Sequence, residues 1–247
     1  MTQLTRRTFR ACCLAATAAL AATAVFHSDA PAQAGSRFAF EPVMPELKRA
    51  VQYAGTSTEL CFAELRDRGV PFEVAEAKRT VETPIRLTGP VRGVTFKPTY
   101  RDDPRPPGPW TIMDCRLALA VDDLAQLLSA HGVVEAEYLS LYRPSPGKPG
   151  VRHGAGRAID LATVKLADGT LYSVQHDFHG RVGAQSCGEG ADPAREDTPG
   201  ARFWRDIVCG LDDRGSFNLV LSPNHDFGHR DHLHLEVRSG IRWFLIQ

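Results

Sequence analysis

The chain has no excess of charge of either sign, because 29 lysine and arginine residues balance 29 aspartate and glutamate residues. Nucleic-acid-binding domains usually carry a clear basic excess, and a strongly basic protein is also drawn to anionic surfaces. The composition shows no such excess. We therefore expect no nucleic-acid partner and no attachment to an anionic membrane through bulk charge.

Long hydrophobic runs are also scarce. The main candidate, residues 11–26, is rich in alanine and shorter than the roughly 20 apolar residues that a membrane-spanning helix needs. Arg6 and Arg7 precede this run, and the small-x-small sequence Ala32-Gln33-Ala34 follows it. This order is typical of a twin-arginine export signal. A membrane anchor is the alternative interpretation, which the short run disfavours.

The predicted signal sets the expected organisation of the chain. We expect residues 1–34 to be removed after Ala34, residues 35–55 to lead into the fold, and residues 56–247 to form one domain with a sizeable core. The mature protein would then lie in the periplasm or cell envelope, with no stable membrane span.

Cysteine is rare, and none of the six cysteines has the C-x-x-C spacing typical of a cysteine-based zinc site. Cys61, Cys115, Cys187 and Cys209 lie outside the predicted signal. An even number of cysteines in an exported chain indicates two disulfides, although four cysteines allow three pairings. We favour Cys61–Cys115, since both lie in predicted helices, and Cys187–Cys209, which flank a polar loop.

Helix signals come mainly in the first half of the domain and strand signals in the second. A capping-box sequence at residues 56–59 and Gly69 predict a helix over residues 58–67, with Leu60, Cys61, Phe62 and Leu65 on its buried side. The broadest apolar face predicts a helix over residues 114–131. Shorter helices are predicted over residues 45–53 and 203–208, extended segments within 71–100, and strands over 137–142, 158–164, 171–174, 218–221 and 232–237. This order predicts an α+β fold with a small antiparallel sheet flanked by helices.

The first candidate site lies in the sequence H-x-x-G-x-A-x-D, in which His153 and Asp160 are seven positions apart. Gly154 and Gly156 allow the backbone to turn tightly, so a loop residue and a residue at the start of a strand can face the same point. Taken alone, the pattern also fits an exposed loop histidine and a turn carboxylate.

A second cluster, D-H-x-H, follows near the C-terminus. His225, His229, His232 and His234 lie within ten residues, out of nine histidines in the chain. Side chains two apart on a strand share a face, so His232 and His234 should point the same way while Leu233 and Leu235 face the core. Two imidazoles buried together are costly unless they are satisfied. With the first cluster, they have the composition of an open zinc site with a nearby base.

These motifs also carry a family resemblance. Tyr142-Arg143, followed by H-x-x-G-x-A-x-D and D-H-x-H, resembles the zinc D-Ala-D-Ala carboxypeptidase and L-Ala-D-Glu endopeptidase superfamily. The pattern in residues 224–234, and Cys115-Arg116-Leu117-Ala118, resemble its bacterial branch of extensin-like C-terminal domains. The resemblance covers about residues 56–238. It implies a D-Ala-D-Ala carboxypeptidase-like fold whose sheet carries the metal site.

The resemblance also implies roles for particular residues. It implies one Zn²⁺ on three ligands, His153, Asp160 and His234. Asp231 matches the general base, and His232 matches a histidine that stabilises the oxyanion. Arg143 matches the arginine that engages the substrate carboxylate or backbone.

The resulting functional expectation is an exported, monomeric zinc metallopeptidase that acts on peptidoglycan peptides as a carboxypeptidase or an endopeptidase. A different metallohydrolase, such as an amidase, is one alternative. The other is a non-catalytic module that binds cell wall or polysaccharide and keeps a closed, structural metal site. A closed site needs four protein ligands, and His229 or His232 could supply the fourth.

Overall fold

The computed structural model describes residue 42 and residues 44–99, 108–144 and 152–247. They belong to one compact unit, Gln33–Gln247. The predicted export signal lies outside the described residues and stays a prediction. Within the described ranges, no helix is long and apolar enough to cross a membrane.

The helices of the N-terminal half follow from local capping signals. Helix α1 (Arg49–Gly55) is preceded by a short 3-10 helix, Pro45–Leu47, so the single predicted helix here is in fact two pieces. Helix α2 spans Thr58–Asp67, as predicted, and the Ser57 side chain caps it by accepting a hydrogen bond from the Leu60 N–H. The prediction that Leu60 is buried was wrong, because its side chain lies on the outer face of α2 and is 66% exposed.

Helix α3 (Cys115–Ala130) lies at the centre of the fold. The Asp114 carboxylate caps it through the Arg116 N–H at 3.0 Å, close to the predicted start. Nearly every side chain of α3 is buried, including those of Leu117 and Leu124. It packs against α1 and α2 and against a later helix, α5 (Pro199–Arg214).

Helix α5 is much longer than the predicted 203–208 segment. Thr198 caps its first turn, Pro199 occupies the first helical position, and Gly215 ends it in the left-handed conformation at φ 59°. These are the expected residues at such positions. The outer face of α5 is polar, so the apolar pattern alone marked only its centre. A short helix, α4 (Val174–Asp177), lies earlier in the chain.

The strands form two sheets. In chain order the strands are β1 (Phe72–Val74), β2 (Pro84–Leu87), β3 (Thr95–Pro98), β4 (Met113–Asp114), β5 (Val133–Tyr138), β6 (Ala158–Leu166), β7 (Leu171–Ser173), β8 (Leu219–Leu221), β9 (Leu233–Glu236) and β10 (Leu245–Ile246). The small sheet has the order β1-β2-β4, and the larger, seven-stranded sheet has the order β10-β8-β9-β6-β5-β3, with β7 also pairing with β6.

The larger sheet confirms the α+β class but corrects two details. It is not purely antiparallel, because β3 pairs with β5, and β8 with β10, in parallel. Parallel neighbours need a long crossover connection, and α3 lies in the connection between β3 and β5. The strand predicted over residues 137–142 instead spans Val133–Tyr138, and a bulge at its end interrupts its ladder with β6. Beyond the bulge, the chain still donates from the Leu139 N–H to the Asp160 carbonyl at 2.8 Å.

Both predicted disulfides are confirmed. Cys61–Cys115 joins α2 to the start of α3, with the two Cα atoms 6.2 Å apart. Cys187–Cys209 joins a loop to α5, with a Cα separation of 5.4 Å. Each bond therefore ties a peripheral segment to a helix of the core.

Strand alternation divides the central sheet into an apolar face and a polar face. Ile159 and Leu161 of β6, and Leu235 of β9, belong to the hydrophobic core that also contains α3 and α5. Their neighbours along the strands, Asp160 and His234, point the other way. The fold thus presents a carboxylate and an imidazole on the face of the sheet opposite the helices.

Candidate metal centre

The pairing of β6 with β9 brings the two halves of the candidate site together. Asp160 and His234 are direct partners in this antiparallel ladder, and partners in a ladder share a face. The His234 Nδ1 atom lies 2.9 Å from Asp160 Oδ1. Leu233 and Leu235 are fully buried in the core, as predicted.

His153 reaches the same carboxylate from a short 3-10 helix, Arg152–Ala155, that precedes β6. Its Nε2 atom lies 3.1 Å from Asp160 Oδ1. The turn into β6 needs Gly156, which has φ +65° and whose added Cβ would lie 2.8 Å from the Asp114 backbone nitrogen. Only glycine suits this combination of backbone angle and close packing.

Hydrogen bonds on the outer sides hold the three groups in place. The His153 Nδ1–H donates to the Leu141 carbonyl at 2.6 Å. Asp160 Oδ2 accepts from Ser140 Oγ at 2.6 Å and from Arg143 Nη2 at 3.1 Å. Asp160 Oδ1 is thereby left to face the histidines. Ser140 and Leu141 come from the segment just beyond the β5 bulge, so this irregularity helps to build the site.

His153, Asp160 and His234, here called the histidine cluster, offer one ligand atom each, all within 4.8 Å of one another. All three residues are buried, with exposures of 6%, 3% and 7%. They line a cleft of about 820 Å³, whose walls also include Arg143 and His232. The structure therefore brings together five of the six residues that the sequence analysis assigned to the site.

Comparison with known protein families matches residues 59–244 to the family named extensin-like protein C-terminus. The chain belongs to this family. The matched range includes both motifs of the cleft. No curated protein and no solved structure matches the chain. The relation of this extensin-like domain to zinc peptidases therefore stays a hypothesis that rests on its site residues.

Asp231, the sixth predicted residue, contacts the cleft through His232. Its Oδ1 atom lies 2.8 Å from His232 Nδ1. The opposite ring nitrogen of His232, Nε2, lies 3.5 Å from Asp160 Oδ1. The carboxylate therefore sits across the imidazole ring from the histidine cluster and orients that ring.

In the histidine cluster of this extensin-like domain, Asp160 and His234 shift each other's pKa. Burial would raise the pKa of Asp160, but its close contacts with the His153 and His234 imidazoles hold that pKa well below its usual range. Burial lowers the pKa of His234, yet its contacts with Asp160 and Glu236 raise it overall. The site thus favours an ionised carboxylate beside positive charge.

Glu236 is a site residue that the sequence analysis missed. It is fully buried on β9, two residues after His234 and on the same face. Its Oε1 atom accepts from the Arg152 N–H at 2.8 Å. Its Oε2 atom lies 3.5 Å from His234 Nε2, and none of the described residues gives that oxygen a hydrogen bond. The alternation of His232, His234 and Glu236 in the sequence was the available signal.

A second group lies on the wall of the same cleft. His225, Asp226 and His229 also offer one ligand atom each within 4.8 Å of one another, and all three are partly exposed. The crowding of histidines here is visible in the sequence, but of these three residues only His229 was predicted as a candidate ligand. Asp226 caps the 3-10 helix Phe227–His229.

Proposed function

We propose that this extensin-like domain is a zinc-dependent peptidase that acts, after export, on the peptide part of peptidoglycan. The observation that carries the proposal is the convergence of His153, Asp160 and His234 on one point of a large cleft. Three N/O ligands with room for a further one are the donor set of a catalytic rather than a structural zinc site.

The orientation of the imidazoles supports a cation at this point. The Leu141 carbonyl can only accept, so His153 Nδ1 carries the proton and its Nε2 presents a lone pair to Asp160 Oδ1. Glu236 likewise favours a proton on His234 Nε2, which leaves the lone pair of Nδ1 facing the same oxygen. Asp160 Oδ1 lies 3.1 Å from His153 Nε2 and 2.9 Å from His234 Nδ1. Lone pairs on these three atoms would repel one another unless a proton or a metal ion lay between them.

The chemistry follows from this donor set and its neighbours. A zinc ion bound here would supply a Lewis acid that polarises a peptide carbonyl and activates water. His232 presents Nε2 to the cleft, and Asp231 holds its Nδ1–H. This pair can take up a proton and return it to the leaving amine. Asp231 as the base itself, with His232 stabilising the oxyanion, is the assignment that the family resemblance implies.

Arg143 is suited to substrate binding because its side chain is 59% exposed at the edge of the cleft. One guanidinium nitrogen contacts Asp160 Oδ2 at 3.1 Å. The fork of an arginine has further donors that can bind a carboxylate in two places. Peptidoglycan peptides carry such carboxylates, which supports this substrate class.

The experiment that tests the proposal is incubation of the purified protein with muropeptides, with and without a chelator, followed by mass spectrometry of the products. We expect cleavage that the chelator abolishes and added zinc restores. Loss of a terminal residue would identify a carboxypeptidase, and internal cleavage an endopeptidase. Absence of any zinc-dependent cleavage across a panel of muropeptides would contradict the proposal.

One observation favours a second candidate, a non-catalytic wall-binding module with a closed metal site. His232 Nε2 lies only 3.5 Å from Asp160 Oδ1, a distance that would also suit a fourth ligand. Substitution of His232 by alanine separates the two. A fourth ligand would make its loss weaken zinc binding sharply, whereas a proton-transfer residue would leave zinc binding nearly unchanged and reduce hydrolysis.

Glu236 is expected to act as a positioning residue for His234. A carboxylate beside the outer nitrogen of a ligand histidine, here 3.5 Å away, favours a proton on that nitrogen and so fixes the tautomer. Loss of such a partner typically lowers metal affinity 10–100-fold. We expect Glu236→Gln to weaken zinc binding by about this factor. The metal-free protein should be no less stable, because the substitution removes a buried charge whose Oε2 atom is unsatisfied. Unchanged zinc affinity in a folded variant would refute this role.

A further inference from the structure

We propose that His225, Asp226 and His229 form a second binding site for a divalent metal ion, on the wall of the cleft and separate from the histidine cluster. The two sets have no ligand in common. The ring of His229 lies 5.9 Å from that of His234 and 5.3 Å from that of His232, between ring centres. Both sites therefore open to the same cleft.

The contact between His225 and Asp226 has the geometry of two ligands of one ion. His225 Nε2 lies 3.5 Å from Asp226 Oδ2. Ligand atoms bound tetrahedrally at about 2.0–2.2 Å from a zinc ion are separated by roughly 3.4 Å. The other ring nitrogen of His225, Nδ1, lies 3.4 Å from the Gln247 side-chain oxygen. An amide oxygen can only accept a hydrogen bond, which favours the ring proton on Nδ1 and a lone pair on Nε2, towards Asp226.

The segment that carries the other ligands is already ordered by its own hydrogen bonds. Asp226 Oδ1 accepts from the His229 backbone N–H at 3.2 Å and lies 2.8 Å from His229 Nδ1. This capping role accounts for one carboxylate oxygen and for the short distance to His229. It does not account for the orientation of Oδ2 towards the second imidazole, that of His225.

The composition of the set indicates the kind of ion. Two imidazoles and one carboxylate suit Zn²⁺ and neighbouring transition metals better than Ca²⁺ or Mg²⁺, which prefer oxygen ligands. The side chains of His225 and Asp226 are 29% and 50% exposed, against 9% or less in the histidine cluster. Water competes more easily at an exposed set, so we expect weaker binding than at the histidine cluster.

The test is a calorimetric titration of the metal-free protein with Zn²⁺ alone. We expect two binding events, a tight one and a weaker one. His225→Ala and Asp226→Asn should each remove only the weaker event, and asparagine keeps the helix cap because it caps as well as aspartate. His234→Ala should remove only the tight event. His176→Ala, at an exposed histidine elsewhere on the surface, is the matched control and should keep both.

Several outcomes would overturn the second site. A single binding event in the unmodified protein would do so, and so would a weaker event that persists when His225 and Asp226 are both substituted. The readout is metal binding, so the absence of peptide hydrolysis would count against the proposed function and leave this inference standing.

Discussion

Two buried carboxylates, Asp123 and Asp160, are equally inaccessible to solvent, at 3% exposure each, yet their surroundings differ in kind. Asp123 accepts from Arg49 at 2.7 Å, from the Tyr53 hydroxyl at 2.8 Å and from Ser216 Oγ at 2.6 Å. Each of these groups carries its own proton, so the carboxylate of Asp123 is satisfied by the protein alone.

In Asp160, by contrast, only one of the two carboxylate oxygens is satisfied by protein groups that carry their own protons. Ser140 and Arg143 satisfy Oδ2. Oδ1 faces two imidazole nitrogens, and the groups on the outer side of each ring, the Leu141 carbonyl and Glu236, favour lone pairs on the inner side. An arginine keeps its proton at any ordinary pH, whereas a histidine can release it. Burial of a carboxylate therefore does not by itself indicate a binding site. A site is indicated when the groups around the carboxylate lack protons to donate and when the carboxylate faces a cleft.

The largest effect expected from this comparison is on metal binding. His153→Ala and His234→Ala should each abolish stoichiometric zinc binding, because each removes one of the three proposed ligands. Metal analysis after dialysis checks this. Arg68→Ala, next to Asp123, is the control and should retain full zinc. Full zinc retention in both histidine variants would make the ligand assignment wrong.

The next effect concerns catalysis at Asp231. We expect Asp231→Asn to retain zinc and fold but to lower peptide hydrolysis by roughly 10²–10⁴-fold, the usual contribution of a positioned base. If Asp231 acts only through His232, a double variant that carries both Asp231→Asn and His232→Gln should be little less active than Asp231→Asn alone. The effects of substituting residues that act as a unit are not additive. Undiminished hydrolysis in Asp231→Asn would refute both roles.

At the other carboxylate the same kind of substitution should alter stability instead. Asp123→Asn leaves Arg49 without its partner in a largely buried network and should reduce the free energy of unfolding by about 3–5 kcal/mol. Because Arg49 is 47% exposed, the lower end is the better estimate. Denaturant unfolding measures this, with zinc binding unchanged. A loss of zinc in the folded variant would contradict the separation of the two regions.

The smallest effect is a change with pH beside Asp123. Burial, together with the negative charge of Asp123, raises the pKa of Tyr53 to about 12. The raised folded-state pKa stabilises the neutral phenol, so this contribution is complete below pH about 10, the unfolded value, and is lost as the pH rises towards 12. Tyr53→Phe should flatten the decline in unfolding free energy in that window. An equally steep decline in the variant would show that Tyr53 is not its source.

Prediction from sequence succeeded where the signals were local. The capping-box sequence at residues 56–59 and Gly69 predicted the bounds of α2, although the capping side chain is that of Ser57. The continuous apolar pattern predicted α3 to within one residue at each end. Prediction from sequence failed where contacts with distant residues decide where an element ends or which face is buried. The strand predicted over residues 137–142 stops at a bulge opposite β6, and Leu60 faces outwards although its neighbour Cys61 is buried.

The sequence by itself determined most of the residues that could form the candidate site, because two-residue alternation predicts His232 and His234 on one face and Leu233 and Leu235 on the other. Only the tertiary structure decided how they meet. The register of β6 on β9 sets Asp160 beside His234, 74 positions away in the chain. Hydrogen bonds between distant segments depend on the packing of the whole sheet, and no local spacing encodes them.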